Sequence, residues 1–193
     1  MFRRRRIHET TRLPDDQLQM AWQLCSLLLD YPSETLVSQL GLIRRAAGEL
    51  PAYLAEPVCR LVAHLEATEL SQAQRAYVET FDHTRRGCLY LTYFTCGDTR
   101  KRGVALVQLK QAYRRAGVEL TSAELPDHLG VVLEFGATAD VEIAWQILTG
   151  YRASLEVLRI SLQEKNSPWA DAVLVASRTL PELVGDEAQA IAR

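Results

Sequence analysis

The residues that could carry chemistry in this chain are few. Its four histidines are His8, His64, His83 and His128. No two of them are three or four positions apart, as paired ligands on one helix face would be. Two follow an aspartate directly, in Asp82-His83 and Asp127-His128. Such a pair can serve acid–base chemistry when one group is held against a substrate. A metal site there would need further ligands that the sequence does not supply. The structural alternative for Asp127 is a place in the first turn of a helix, where the dipole favours a carboxylate, with His128 bonded to a neighbouring loop. The cysteines, at 25, 59, 88 and 96, form no CxxC pair and read as reduced thiols packed beside apolar neighbours. No dinucleotide-binding glycine fingerprint, P-loop, paired-histidine zinc motif or nucleophile elbow occurs. No metal or cofactor is expected.

Recognition is the other chemistry on offer. Tyr77, Phe81, Tyr90, Tyr93, Phe94 and Tyr113 concentrate in the middle third, interleaved with Asp82, Arg85, Arg86, Asp98, Arg100, Lys101 and Arg102. Helical spacing sends most of these rings to the core. Tyrosine with arginine in one region is also what a protein-recognition surface uses, and an amphipathic helix docked between helices is its natural ligand. Nucleic acid fits less well, because Glu79, Asp82 and Asp98 interrupt any basic stripe.

The elements that must position these residues are helical. The chain has 193 residues, 48% of them apolar and 24% charged, with a net charge of −2. That is the composition of one ordinary globular domain. No apolar run approaches the roughly 18 residues that span a bilayer. Hairpin dipeptides are missing, and sparse glycine and proline punctuate long periodic segments. The spacing predicts an all-α, single-domain bundle of about seven to nine helices over 15–181, between a mobile basic tail at 1–14 and a frayed tail at 182–193. The segment from Asp15 is apolar nearly all round, since Leu24 and Leu27 widen its stripe, and belongs at the centre. Ser33 is expected to cap the second helix, Ser71 with Gln74 to form a capping box, and Asp98 to cap a helix ending at Gly117. Pro51 and Pro57 are expected to bracket a connection, and Pro126 to open a helix holding Asp127. Asp140 is expected to open a single helix of about six turns, and Ser167-Pro168 to cap the last. Residues 88–96 fit a strand or a short buried helix; with no partner strand in sight, helix is preferred.

The run from Tyr77 to Gly103, with Thr80-Phe-Asp-His-Thr-Arg-Arg-Gly-Cys-Leu-Tyr-Leu-Thr-Tyr-Phe94 at its centre, resembles the signature of the NarJ family. Ala105–Gly117, Glu124–Leu129 and Val132–Phe135 extend the resemblance, which covers about residues 20–165. It implies a TorD/NarJ-like helical fold and a cytoplasmic, non-catalytic chaperone. Such a chaperone binds the N-terminal segment of the apo nitrate reductase α subunit, holds it competent for molybdenum-cofactor insertion and membrane assembly, and is absent from the mature enzyme. It implies no nucleic acid and no stable membrane insertion; the chain is expected to be a monomer or weak homodimer. The wider group carries Glu-Pro-x-Asp-His where this chain reads Glu124-Leu-Pro-Asp-His128, so Asp127 and His128 carry over while the proline is displaced by one. A peptide-binding groove is expected from Tyr90, Tyr93, Leu106, Leu109, Tyr113, Leu129 and Leu133, with Asp98, Arg100, Asp127 and His128 at its rim. With an ordinary pKa of about 6.5, His128 would make binding pH-sensitive. The rival readings are a small helical enzyme built on Asp127 and His128, a nucleic-acid-binding regulator and a permanent structural subunit.

Overall fold

Helix α1 (Asp15–Leu28) is the axle of the molecule. Its Leu18, Ala21, Trp22, Leu24, Cys25 and Leu28 are all buried, as its two-sided apolar pattern requires. The computed structural model describes residues 12–82, 87–120 and 124–183. In chain order α1 is followed by α2 (Glu34–Ala47), α3 (Ala52–Ala67), α4 (Leu70–Phe81), α5 (Leu91–Cys96), α6 (Arg100–Arg115), α7 (Leu129–Thr138), α8 (Val141–Gly150), α9 (Arg152–Glu164) and α10 (Ala170–Arg178). Among the described residues there is no sheet, only one isolated antiparallel bridge between Tyr90 and His128. Helices α2, α3, α7, α8 and α10 pack round α1, and α5 and α6 lean on α9 and α8 respectively. One core cluster runs through them.

The all-α expectation holds, with ten helices among the described residues rather than seven to nine. The segment opened by Asp140 divides at Tyr151. Tyr151 N–H donates to the Ile147 carbonyl (3.0 Å) and closes α8, and Leu155 N–H donates to that of Tyr151 (3.1 Å) and opens α9. The apolar spacing continues in phase through the break, which hides it from periodicity. Asp140 does cap α8, accepting from Ile143 N–H at 2.8 Å, and Ser33 caps α2, accepting from Leu36 N–H at 3.2 Å.

Other local expectations give way to tertiary contacts. Pro57 does not end a connection but lies inside α3. It has no N–H for the Tyr53 carbonyl, and the Arg178 guanidinium donates to that carbonyl instead, at 2.5 Å. Ser71 is not an N-cap: α4 starts one residue earlier, after Glu69, and the Ser71 hydroxyl bonds the Glu69 carboxylate. Thr99, not Asp98, precedes α6. Trp169, not Ser167, precedes α10. Helix α4 is fastened by rings: Tyr77 and Phe81 meet Trp169 edge-on at 5.5 and 5.7 Å, and the Tyr77 hydroxyl donates to the Leu29 carbonyl. Of the expected basic tail, residues 1–11 lie outside the described residues. Arg12 pairs with Asp15 and Glu142 and covers the Trp145 ring. Of the expected C-terminal tail, residues 184–193 lie outside the described residues.

Gly136 of α7 sets how closely α7, α1 and α8 approach. A Cβ there would stand 2.5 Å from a Trp22 ring carbon and 2.6 Å from Ala144 Cβ. Gly136→Ala is therefore expected to lower stability by about 1–3 kcal/mol through overpacking. Gly150→Ala, which meets nothing within 4 Å, is expected to keep or raise it. Urea denaturation of both variants checks this.

Candidate functional site

The bridge between Tyr90 and His128 joins two connections distant in sequence. Leu91 N–H donates to the Asp127 carbonyl (2.9 Å) and Leu129 N–H to that of Leu89 (2.8 Å). Residues 88–90 are thus extended and 91–96 helical, so each reading of that stretch captured part of it. The bridge sets the Tyr90 and His128 rings edge to face, their centroids 5.4 Å apart. The imidazole folds back over the start of α7, where a Cβ at Gly130 would come within 3.2 Å of Nδ1.

Asp127 lies beneath this pair and is fully buried. It precedes α7, which begins at Leu129, and so is not in a first helical turn as expected. The Thr92 hydroxyl donates to its Oδ2 at 2.5 Å, and the Arg102 guanidinium approaches the same oxygen at 3.3 Å. Arg102 also donates to the Thr92 hydroxyl and stands 5.6 Å from the Tyr90 ring centre. The Tyr113 hydroxyl donates to the Pro126 carbonyl at 2.7 Å, holding the same connection from α6. Asp127 therefore staples α5 and α6 to the start of α7 and is not presented with His128 to a substrate. The other Asp–His pair falls at 82–83, of which His83 lies outside the described residues. Among the described residues no three His, Cys, Asp or Glu side chains gather as a metal-ligand set.

Outside the bridge opens a cleft of about 420 Å³ between α1, α7 and the connection before α7. Its apolar lining includes Leu27, Leu29, Tyr90, Leu125 and Val131, its acidic side chains are Asp30, Glu124 and Glu134, and Gln23, Ser26 and His128 add polar groups. Among the described residues no lysine or arginine lines it. The Ser26 hydroxyl donates to the Gly130 carbonyl and closes the floor between α1 and α7.

Of the eleven residues expected at a groove, only Tyr90 and His128 line this cleft. Leu109, Tyr113, Asp127, Leu129 and Leu133 are buried, so they shape the site from below and present no surface. Tyr93 and Leu106 are half-buried and Asp98 and Arg100 exposed, on α5, α6 and the turn between them. The cleft is also lined by Leu27, Asp30, Leu125, Val131 and Glu134, none of them expected at a groove. The one hint of them was Leu27, which widens the α1 stripe beyond what a one-sided core contact needs.

Residues 47–174 match the family model described as nitrate reductase delta subunit. The chain is 30% identical over 169 residues to the Bacillus subtilis protein assigned as the nitrate reductase molybdenum cofactor assembly chaperone NarJ, covering 86% of this chain and 90% of that one. The chain belongs to the NarJ family. The family is one of assembly chaperones rather than enzymes. The nitrate reductase-like protein NarX of Mycobacterium tuberculosis is 38% identical over 173 residues, which make up 89% of this chain and 26% of NarX. The chain thus spans about a quarter of NarX. The NarJ-family fold also matches a crystal structure from Archaeoglobus fulgidus assigned as a redox enzyme maturation protein. The TM-score is 0.60 at 20% identity, covering 90% of this chain and 98% of that one.

Burial drives the His128 pKa below its ordinary value, against the smaller opposing pull of Asp127, Asp30 and Glu124. The ring is therefore neutral at pH 7, and the expected titration near 6.5 moves lower. The unfolded chain holds this proton more tightly than the folded one. The stability contributed by the neutral ring is thus complete above about pH 6.5 and declines as pH falls below it. Urea midpoints at about pH 7.5 and about pH 5.5 should fall further for the parent than for His128→Gln. Arg102→Met leaves the buried Asp127 carboxylate without its cation and is expected to cost about 3 kcal/mol. Adding Asp127→Asn should recover part of that loss in the same assay.

Proposed function

We propose that the chain is a system-specific chaperone for a nitrate reductase. It binds the N-terminal segment of the apo α subunit in the cytoplasm, keeps the apoenzyme competent for molybdenum-cofactor insertion and membrane assembly, and leaves before the enzyme is mature. The observation that carries this reading, beyond family membership, is the cleft over the Tyr90–His128 bridge. It offers an apolar floor, acidic sides and, among the described residues, no basic lining residue. A short amphipathic helix bearing lysine or arginine beside its apolar face is complementary to it in both respects.

Such a segment loses conformational entropy when it orders on binding. Burial against Leu27, Leu125, Val131 and Tyr90 offsets that loss, while Asp30, Glu124 and Glu134 set orientation. Tyr93, Leu106, Asp98 and Arg100 extend the contact toward α5 and α6, and the buried Leu109, Tyr113, Asp127, Leu129 and Leu133 hold the walls in place. Among the described residues no helix is long and apolar enough to cross a membrane.

Calorimetry with the first stretch of the α subunit, about fifteen residues or four helical turns, tests the reading. Binding at about micromolar affinity is expected, weak enough for release. Leu125→Asp and Val131→Asp should each weaken it about tenfold or more while leaving the fold intact. Leu109→Ala should instead lower stability, because its side chain lies in the core. No binding of the parent, or undiminished binding by both aspartate variants, overturns the assignment of the cleft.

A further inference from the structure

Beyond Arg100 and Leu106, helix α6 has an outer face that the client reading does not use. It holds six of the chain's 22 basic residues and none of its 24 acidic ones. Arg102 turns inward to Asp127. Arg100, Lys101, Lys110, Arg114 and Arg115 are exposed. Arg114 approaches Glu119 at 3.9 Å, with both side chains open to water. Arg100, Lys101, Lys110 and Arg115 have no ion pair among the described residues. Between these cations Val104 and Val107 stand 57% and 54% exposed, one helical turn apart.

We propose that this outer face of α6 docks the protein on an anionic phospholipid surface, without insertion. Charge complementarity selects an anionic partner, and the layout of the charges selects a broad one. At 100° per residue the five exposed cations are spread round about half the helix circumference. A partner helix would cover a narrower stripe. The face offers two β-branched valines and no exposed aromatic anchor of the kind that dominates protein interfaces. Pairing of α6 with α6 of a second copy would set arginine against arginine. A lipid surface meets all five cations at once, each adding attraction within a Debye length, and the valines reach only the headgroup layer. The chain ahead of Arg12 carries Arg3–Arg6.

The test is co-sedimentation of the full chain with phosphatidylcholine vesicles, with and without added phosphatidylglycerol. The full chain is expected to sediment only with the phosphatidylglycerol vesicles and to be released as salt is raised. The triple variant Lys110→Gln, Arg114→Gln, Arg115→Gln should lose about tenfold or more in apparent affinity. Its circular dichroism and its calorimetric affinity for the α-subunit peptide should be those of the parent. Removing residues 1–11 should weaken vesicle binding without abolishing it. Equal sedimentation with both vesicle types overturns the proposal, as does a triple variant that sediments like the parent. Binding that vanishes with residues 1–11 removes α6 from the surface and equally overturns it. Preferential binding of an acidic helical peptide over the vesicles assigns the face to a protein partner instead.

Discussion

Everything in this fold answers to the burial of α1. A helix with apolar side chains nearly all round cannot sit on a surface, so other helices must enclose it, and the chain supplies α7, α10, α2, α3 and α8 for the purpose. The fit leaves little freedom. The Trp22 indole N–H donates to the Thr179 hydroxyl at 2.9 Å, and the Cys25 thiol meets the Ala172 carbonyl at 3.3 Å. Burial raises that thiol's pKa to about 12, which makes Cys25 an inert packing residue and not a nucleophile. The enclosure is incomplete on the side where Leu27 and Asp30 face the connection before α7. The cleft lies on that side.

How legible such a fold is from sequence depends on the range of the interaction that decides each feature. The 3.6-residue period is local and cumulative, so α1, α2, α6 and α10 are readable from their own residues. Caps are local too, and Ser33 and Asp140 act as their types predict. Pro57 misleads because its remedy comes from Arg178, 121 positions away in sequence and invisible to any short window. Tyr151 misleads for the opposite reason. Gly150 before it is the one local mark of a stop, and the apolar positions on either side stay in phase across the break.

Asp127 shows the same limit at the site itself. The Asp-His pair is conspicuous in sequence, and the available local reason for an aspartate there was the helix dipole. Its actual partners, Thr92 and Arg102, lie 35 and 25 positions earlier. A buried carboxylate–guanidinium pair adds little net stability against its desolvation cost, whereas removing one partner is severe. Its effect here is one of arrangement: it holds the extended residues 88–90 against the start of α7, so that Tyr90 and His128 face each other across the cleft wall.

Five of the eleven groove residues expected from the sequence are buried, for a physical reason. Leu109, Tyr113, Leu129 and Leu133 keep a regular helical period, and such a period is the mark of residues facing the protein's own core. A partner surface on a helical bundle has to be built from what the core leaves over. Those are the flank positions, such as Leu27 and Val131, half-covered by their own helix and its neighbour. Such residues are conspicuous only when a helix carries more apolar breadth than its neighbours can cover. Helix α1 has that excess at Leu27, and the excess is left lining the cleft because the connection carrying Leu125 and His128 stops short of covering it. The determinant of the site is thus the reach of a loop rather than a motif, and loop reach is set by the Tyr90–His128 bridge and the Tyr113–Pro126 hydrogen bond, both of which exist only once the chain has folded.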